Sequence, residues 1–274
     1  MSVDFENKVP FGKKADDRLY DVDEVENGRA CDCHCPYCGV LLVAKHGDVN
    51  RHHFAHYGAP SCEYGFEAGV RLAVKEVLDR RRQIRLPAVV MDFGENLRDV
   101  TIRPEQVVEL DDVALVDEGT RLPDLVVGCG GRRLYIDVQL TKGMNSNRLQ
   151  ALRDQGIGVL QLSMSHLDVE VRMKDVEELV VDSLTSKNWL SHYKVLKGRD
   201  WIEKRTEHMR VWQGRNYVSF VRNCPKKGEG KSASVDRECQ RCRYFRGFDY
   251  DEDRVRCLGR SATAVDEAAN RHAK

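Results

Sequence analysis

The chain has 274 residues, 41% of them hydrophobic and 32% charged, with 44 basic and 44 acidic side chains that cancel at neutral pH. That length fits about two domains. No apolar run approaches the ~20 residues that cross a bilayer, and the polar, acidic start lacks the form of a secretory leader. The expectation is a cytoplasmic protein without a membrane span, whose ten cysteines bind metal instead of forming disulfides. The zero net charge hides an asymmetry: residues 1–186 hold 23 Lys and Arg against 32 Asp and Glu, whereas residues 187–260 hold 19 against 10. A polyanion would meet the C-terminal third.

Residues 1–30, polar and without periodicity, read as a mobile arm or a loosely attached strand. Residues 31–62 read as a small metal module. Cys35 and Cys38 have the spacing of a zinc knuckle, a strand follows from Val40 to Lys45, and His53 and His56 come next. A tetrahedral zinc ion takes such N and S ligands and holds a hairpin too small for its own core. Cys31, Cys33, His34 and Cys62 are spare ligands, so the fourth position stays open.

Residues 63–82 predict a helix, with Phe66, Val70, Val74 and Val77 as its apolar stripe and Glu67, Arg71 and Lys75 on another face. Strands are expected over Ile84–Phe93, where Pro87 suggests an edge or a bulge, then Val100–Arg103 and Val107–Val116. A hairpin follows: Arg121-Leu-Pro-Asp124-Leu-Val-Val, the glycine turn 128–131, then Arg132 to Gln139. Antiparallel pairing brings Asp124 and Asp137 to one end of it. Asp137 and Gln139, two apart, leave the same strand face. Two acids and an amide there want a partner, and a hard divalent cation suits oxygen ligands. A helix over 143–155, a buried strand Val159–Ser163, and an amphipathic helix Asp175–Leu184 complete residues 63–186. Gln161 reads as a sheet residue that could also line the site.

Arg-Leu-Pro-Asp followed by Ile-Asp-Val-Gln resembles the metal-binding core of the PD-(D/E)xK nuclease superfamily. Gln139 stands where that pattern usually has Lys, a departure shared by its competence protein CoiA-like branch. Cys-Pro-x-Cys followed by His-Phe-Ala-His resembles the N-terminal module of the same proteins. The resemblance covers about residues 35–165 and implies a mixed sheet flanked by helices, with Asp124 and Asp137 holding Mg²⁺ or Mn²⁺. It also implies Glu67 reaching the site from the first helix, Lys75 eight residues on, and Gln139 positioning water or phosphate. Arg71 stands where the family tends to have His.

Beyond the resemblance, residues 187–274 are basic and aromatic. Trp189, Tyr193, Trp201, Trp212, Tyr217 and Phe220 stand among many Lys and Arg. Aromatics interleaved with basic residues in this way suit stacking on single-stranded nucleic acid, but the tryptophans read first as core and no stacking residue is singled out. Cys224, Cys239, Cys242 and Cys257, with intervals of 14, 2 and 14 residues, fit a four-thiolate zinc site, the rival being an iron–sulfur cluster. Lys226, Lys227 and Lys231 in its first loop are candidates for nucleic acid. The whole reads as an α+β protein: an arm, a zinc module, a nuclease core over 63–186 and a basic C-terminal region with a second zinc site. The expected activity is Mg²⁺- or Mn²⁺-dependent hydrolysis of DNA, in DNA uptake or phage defence, with DNA and other subunits of such a system as partners and a homodimer left open. The alternative is an inactive zinc-containing scaffold that binds DNA.

Overall fold

The computed structural model describes residues 8–47, 51–59, 62–91, 100–116, 122, 124–141, 143–264 and 267. The chain divides into two compact units, Met1–Pro87 with Glu105–His192 and Ala88–Pro104 with Tyr193–Lys274.

The stretch expected to be a mobile arm or a loosely attached strand is structured from Lys8 onward, as strands. It carries β1 (Lys8–Val9) and the hairpin β2 (Phe11–Lys13) and β3 (Leu19–Asp21). Its few apolar residues explain the difference: Val9, Phe11 and Val22 are fully buried. Polar ties add to them, since Leu19 N–H donates to Glu76 at 3.1 Å and Met173 N–H to Asp21 at 3.0 Å. β4 (Leu42–Lys45) and β5 (His53–His56) join β1 in an antiparallel sheet of order β1-β5-β4.

α1 (Gly65–Arg81) buries its expected stripe of Phe66, Val70, Val74 and Val77, together with Ala73 and Leu78. Phe66, the three valines and Leu78 each contribute about 1.5–3 kcal/mol on full burial. The helix ends at Arg82, which adopts φ +49° and donates its N–H to Leu78 O at 2.9 Å. β6 (Gln83–Leu86) follows. Pro87 then separates it from β7 (Val89–Met91), which pairs with β8 (Val100–Arg103) in the second unit. The stretch 63–186 is therefore not continuous in space: 88–104 leaves it. β9 (Gln106–Glu109) returns and pairs with β6.

The main sheet of the first unit is built from β10 (Val113–Val116), β11 (Asp124–Cys129), β12 (Arg132–Gln139), β13 (Gly158–Ser163) and β14 (Lys187–Ser191), in that spatial order. β12 and β13 are parallel, joined across α2 (Ser146–Asp154), and the other neighbours are antiparallel. The hairpin turn uses Gly130 (φ +54°) and Gly131 (φ +72°), both left-handed as a two-residue hairpin with right-twisted strands requires. One face of the sheet (Leu125, Val127, Ile136, Val138, Leu160, Leu162) packs on α1 and on α3 (Met173–Glu177), which continues as a wider helical turn to Asp182. On the other face Val126, Tyr135 and Val159 lie under Leu152 of α2.

The second unit starts with α4 (Tyr193–Glu203), whose Trp201 and Ile202 pack with Met91 and Ile102 of the β7–β8 hairpin. Gly198 permits that approach, because a Cβ there would lie 2.1 Å from Met91 Sδ. Its sheet comprises β15 (Glu207–Gln213), β16 (Ser219–Val221), β17 (Ala233–Ser234), β18 (Phe245–Asp249) and β19 (Arg254–Cys257), all antiparallel, in the order β17-β16-β15-β19-β18. Met209, Val211, Val221 and Val255 form its inner face. No helix among the described residues is long and apolar enough to cross a membrane.

Candidate metal centres

In the N-terminal module the backbone turns back at Cys35-Pro-Tyr-Cys38, with Gly39 N–H on Cys35 O at 3.0 Å and Cys35 N–H on Val40 O at 2.8 Å. β5 runs across this turn. Side chains alternate along a strand, so His56 shares a face with the fully buried Phe54 while His53 leaves by the other. Cys35, Cys38, His56 and Cys62 each offer a ligand atom, all within 4.8 Å of one another, and Cys38 Sγ lies 3.3 Å from His56 Nε2.

The fourth member of this cluster is thus Cys62, one of the spare candidates, and not His53. Strand geometry accounts for this correction: three residues apart is one turn of a helix but opposite faces of a strand. His53 Nδ1 instead lies 2.6 Å from Arg51 O. Gly65, at the start of α1, leaves room for the sulfurs, since a Cβ there would stand 3.3 Å from Cys62 Sγ and 3.4 Å from Cys35 Sγ. Cys31 and Cys33 are buried nearby and face the carbonyls of Leu42 (3.5 Å) and Cys31 (3.2 Å). His34 serves the module through its backbone, bridging Lys13 and Leu41.

Burial pushes the Cys35 thiol up to about 12 and raises that of Cys62. Such thiols stay protonated unless a cation stabilises the thiolates. Buried His56 Nδ1 has no partner among the described residues. Tetrahedral zinc with bonds of about 2.0–2.3 Å fits three thiols and an imidazole this close, and these residues can hold it.

On the main sheet the register sets Leu125 across from Ile136, which puts Asp124, the first residue of β11, across from Asp137. The backbone of Asp124 is described and its side chain lies outside the described ones. Asp137 is 7% exposed. Its Oδ2 accepts from Gln161 Nε2 at 3.2 Å and from Met144 N–H at 3.3 Å. The parallel ladder explains the first of these bonds, because Asp137 and Gln161 are direct partners across β12 and β13. Gln139 lies one strand step further on the same face, and a Cβ on Gly143 would meet the Nε2 atoms of Gln161 (3.3 Å) and Gln139 (3.6 Å). Gln161 is therefore part of this cluster. Its sequence signal is only a polar residue inside a buried strand.

Glu67 pairs with Arg71 at 2.9 Å. Arg71 also donates to Val138 O at 3.3 Å, so the carbonyl nearest the site on β12 already accepts a guanidinium. Lys75 pairs with Asp79, one turn further along α1. The cation beside Glu67 at the end of β12 is thus Arg71.

In the second unit Cys224, Cys239, Cys242 and Cys257 line one cavity of about 160 Å³. Tight turns place them: Lys227 and Gly228 N–H donate to Cys224 O at 2.9 and 3.0 Å, and Cys242 N–H donates to Cys239 O at 2.9 Å. Gly259 N–H points at Cys257 Sγ at 3.2 Å. Burial first, then the other three sulfurs, raise the Cys239 thiol to about 12. Lys227 is paired with Glu238 and donates to Ser232 O at 3.1 Å, Lys226 lies 5.0 Å from the Tyr244 ring, and Lys231 is exposed.

A compact Cys/His module ahead of a helix-flanked mixed sheet defines an α+β protein with an N-terminal zinc-type domain. Residues 19–65 match the family model of the competence protein CoiA N-terminal domain, a span that contains all four clustered ligands. The match covers the N-terminal domain alone, and it is this domain that is similar to the CoiA family. No curated protein and no solved structure matches the chain.

Proposed function

We propose that the first unit is a metal-dependent nuclease acting on DNA in a competence-related role, with the PD-(D/E)xK arrangement as its core. The observation that carries this reading is the cluster of Asp137, Gln139 and Gln161 on one sheet face, with the backbone register setting Asp124 across from Asp137. The donor chemistry fits a hard cation: carboxylate oxygens on adjacent strands suit Mg²⁺ or Mn²⁺. When bound, such an ion would lower the pKa of a water and stabilise charge on the phosphate oxygens. Asp124 and Asp137 would hold it. Gln161 and the Met144 N–H fix the Asp137 carboxylate. Gln139, an amide with both donor and acceptor atoms, orients water or phosphate. Arg71 holds Glu67 at the β12 end, and Lys75 supplies more distant positive charge.

The test is cleavage of plasmid and linear DNA with Mn²⁺ or EDTA. Asp137→Ala abolishes cleavage while leaving the circular dichroism spectrum unchanged; cleavage retained by that variant removes Asp137 from the mechanism.

One observation favours the scaffold alternative. Gln139 occupies the place of a catalytic lysine, and Lys75 is already paired with Asp79. Binding of DNA without any cutting would select it.

The same proposal gives the second unit a structural zinc at its four cysteines. It predicts two zinc ions per chain by elemental analysis. A single zinc, or the visible absorbance of an iron–sulfur cluster, overturns that assignment.

A further inference from the structure

The outer face of the second unit's sheet is a row of cations with too few acids to match them. In β15 side chains alternate: Met209 and Val211 turn inward, while His208, Arg210 and Trp212 are exposed. On one side Arg210 stands across from Arg254 of β19. On the other side the register pairs Val211 with Val221 and Trp212 with Phe220, so Arg222 follows one step on, level with Arg210. Three arginines thus lie side by side across three strands. Like charges placed opposite one another destabilise a sheet, and the surrounding acids relieve only some of them. Glu252 pairs with Arg254 at 3.2 Å, Glu203 pairs with Arg256, and Glu207 pairs with Arg260 at 3.1 Å. Among the described residues no carboxylate pairs with Arg210 or Arg222. Instead both guanidiniums lie on the Trp212 ring, 4.8 and 4.3 Å from its centroid, and with His208, Asn223 and Arg260 they line an open pocket of about 550 Å³.

We propose that this face binds single-stranded nucleic acid, with Arg210 and Arg222 taking phosphates and the exposed part of the Trp212 ring taking a base. Two surplus guanidiniums call for an anion, and their forks match phosphate oxygens. An exposed indole 36% open to solvent beside them offers a stacking surface. Bases with free faces can use it and bases stacked inside a duplex cannot, which selects the single strand. The inference goes beyond the nuclease reading and does not depend on it, because no metal or cleavage enters.

The test is fluorescence anisotropy of a labelled oligothymidylate with the full chain in EDTA, over a series of salt concentrations. Trp212→Ala weakens binding roughly 5- to 150-fold and Trp212→Phe restores most of it. Arg210→Ala with Arg222→Ala flattens the slope of log affinity against log salt by about 1.4, or about 0.7 for each phosphate no longer neutralised. Should Trp212→Ala fail to fold, the arginine pair, both exposed, carries the test. Unchanged affinity and slope in these variants overturn the proposal. So does a duplex bound as tightly as the single strand, or displacement by polyglutamate as effective as by oligonucleotide, which would make the partner an acidic polypeptide. The anisotropy is read in EDTA, where no metal-dependent cleavage occurs, so failure of the cleavage reading and failure of this one are told apart.

Discussion

Asp137 is nearly buried and accepts two hydrogen bonds, both on Oδ2, from Gln161 and Met144. An ionised carboxylate can take about four bonds, so this group has capacity left for a cation. Gln161→Ala removes one of the donors that orient it. Loss of such an outer partner costs about 10- to 100-fold in metal affinity or activity, so Mn²⁺-dependent cleavage falls by that factor with the fold unchanged; undiminished cleavage would leave Gln161 without a role. Lys187 is the other informative buried charge, 3% exposed, its Nζ donating to Val181 O at 3.4 Å. Burial lowers it from 10.5 to about 8, against the opposing pull of Asp182. Between those values the unfolded chain holds more protons than the folded one, so stability rises with pH across the window. Below pH 8 the buried ammonium destabilises the fold in full. Lys187→Met abolishes the rise, as urea unfolding from pH 7 to 10 would show; an equal rise in both proteins would contradict the assignment.

At the scale of elements, local pattern and non-local pairing part company. The α1 stripe and the glycine turn at 130–131 are legible because helical periodicity and left-handed turn residues are written in adjacent positions. The zinc ligand set is half legible. Cys35, Cys38 and His56 fall where their spacing puts them, whereas the expectation for His53 rests on a helical spacing that β5, a strand, does not obey. Cys62 lies beyond the strand and joins the cluster only through the packing of α1. The consequence is measurable by zinc content: His53→Ala keeps the metal of the first cluster, and Cys62→Ser loses it or binds it far more weakly. The reverse pattern would restore the sequence-based ligand set. Gln161 is hidden for a similar reason, because the parallel register that seats it beside Asp137 is set by the α2 crossover and not by any local motif. The tryptophans divide by location: Trp189 and Trp201 pack against cores, while Trp212 stands on the open sheet face.

Over the whole molecule, boundaries are the least legible feature. The first thirty residues read as a mobile arm or a loosely attached strand, yet three buried apolar side chains and two long-range bonds between a backbone N–H and a carboxylate fix them from Lys8 onward. β7 and β8 have the pattern of core strands and instead pair with each other in the second unit, held by Met91 and Ile102 against α4; nothing local to them announces that partner. The charge asymmetry of the sequence acquires a location in the outer face of the second sheet. The α+β class and the order of hairpin, helix and parallel strand follow from periodicity and turn chemistry.

The central claim is that Asp124 and Asp137 share a hard cation. Anomalous scattering at the manganese edge from crystals soaked in Mn²⁺ tests it most directly. The account predicts a peak between the two carboxylates at the end of the β11–β12 hairpin, absent in Asp137→Ala. A map with no manganese there, from crystals that hold zinc at Cys35, Cys38, His56 and Cys62, would contradict it.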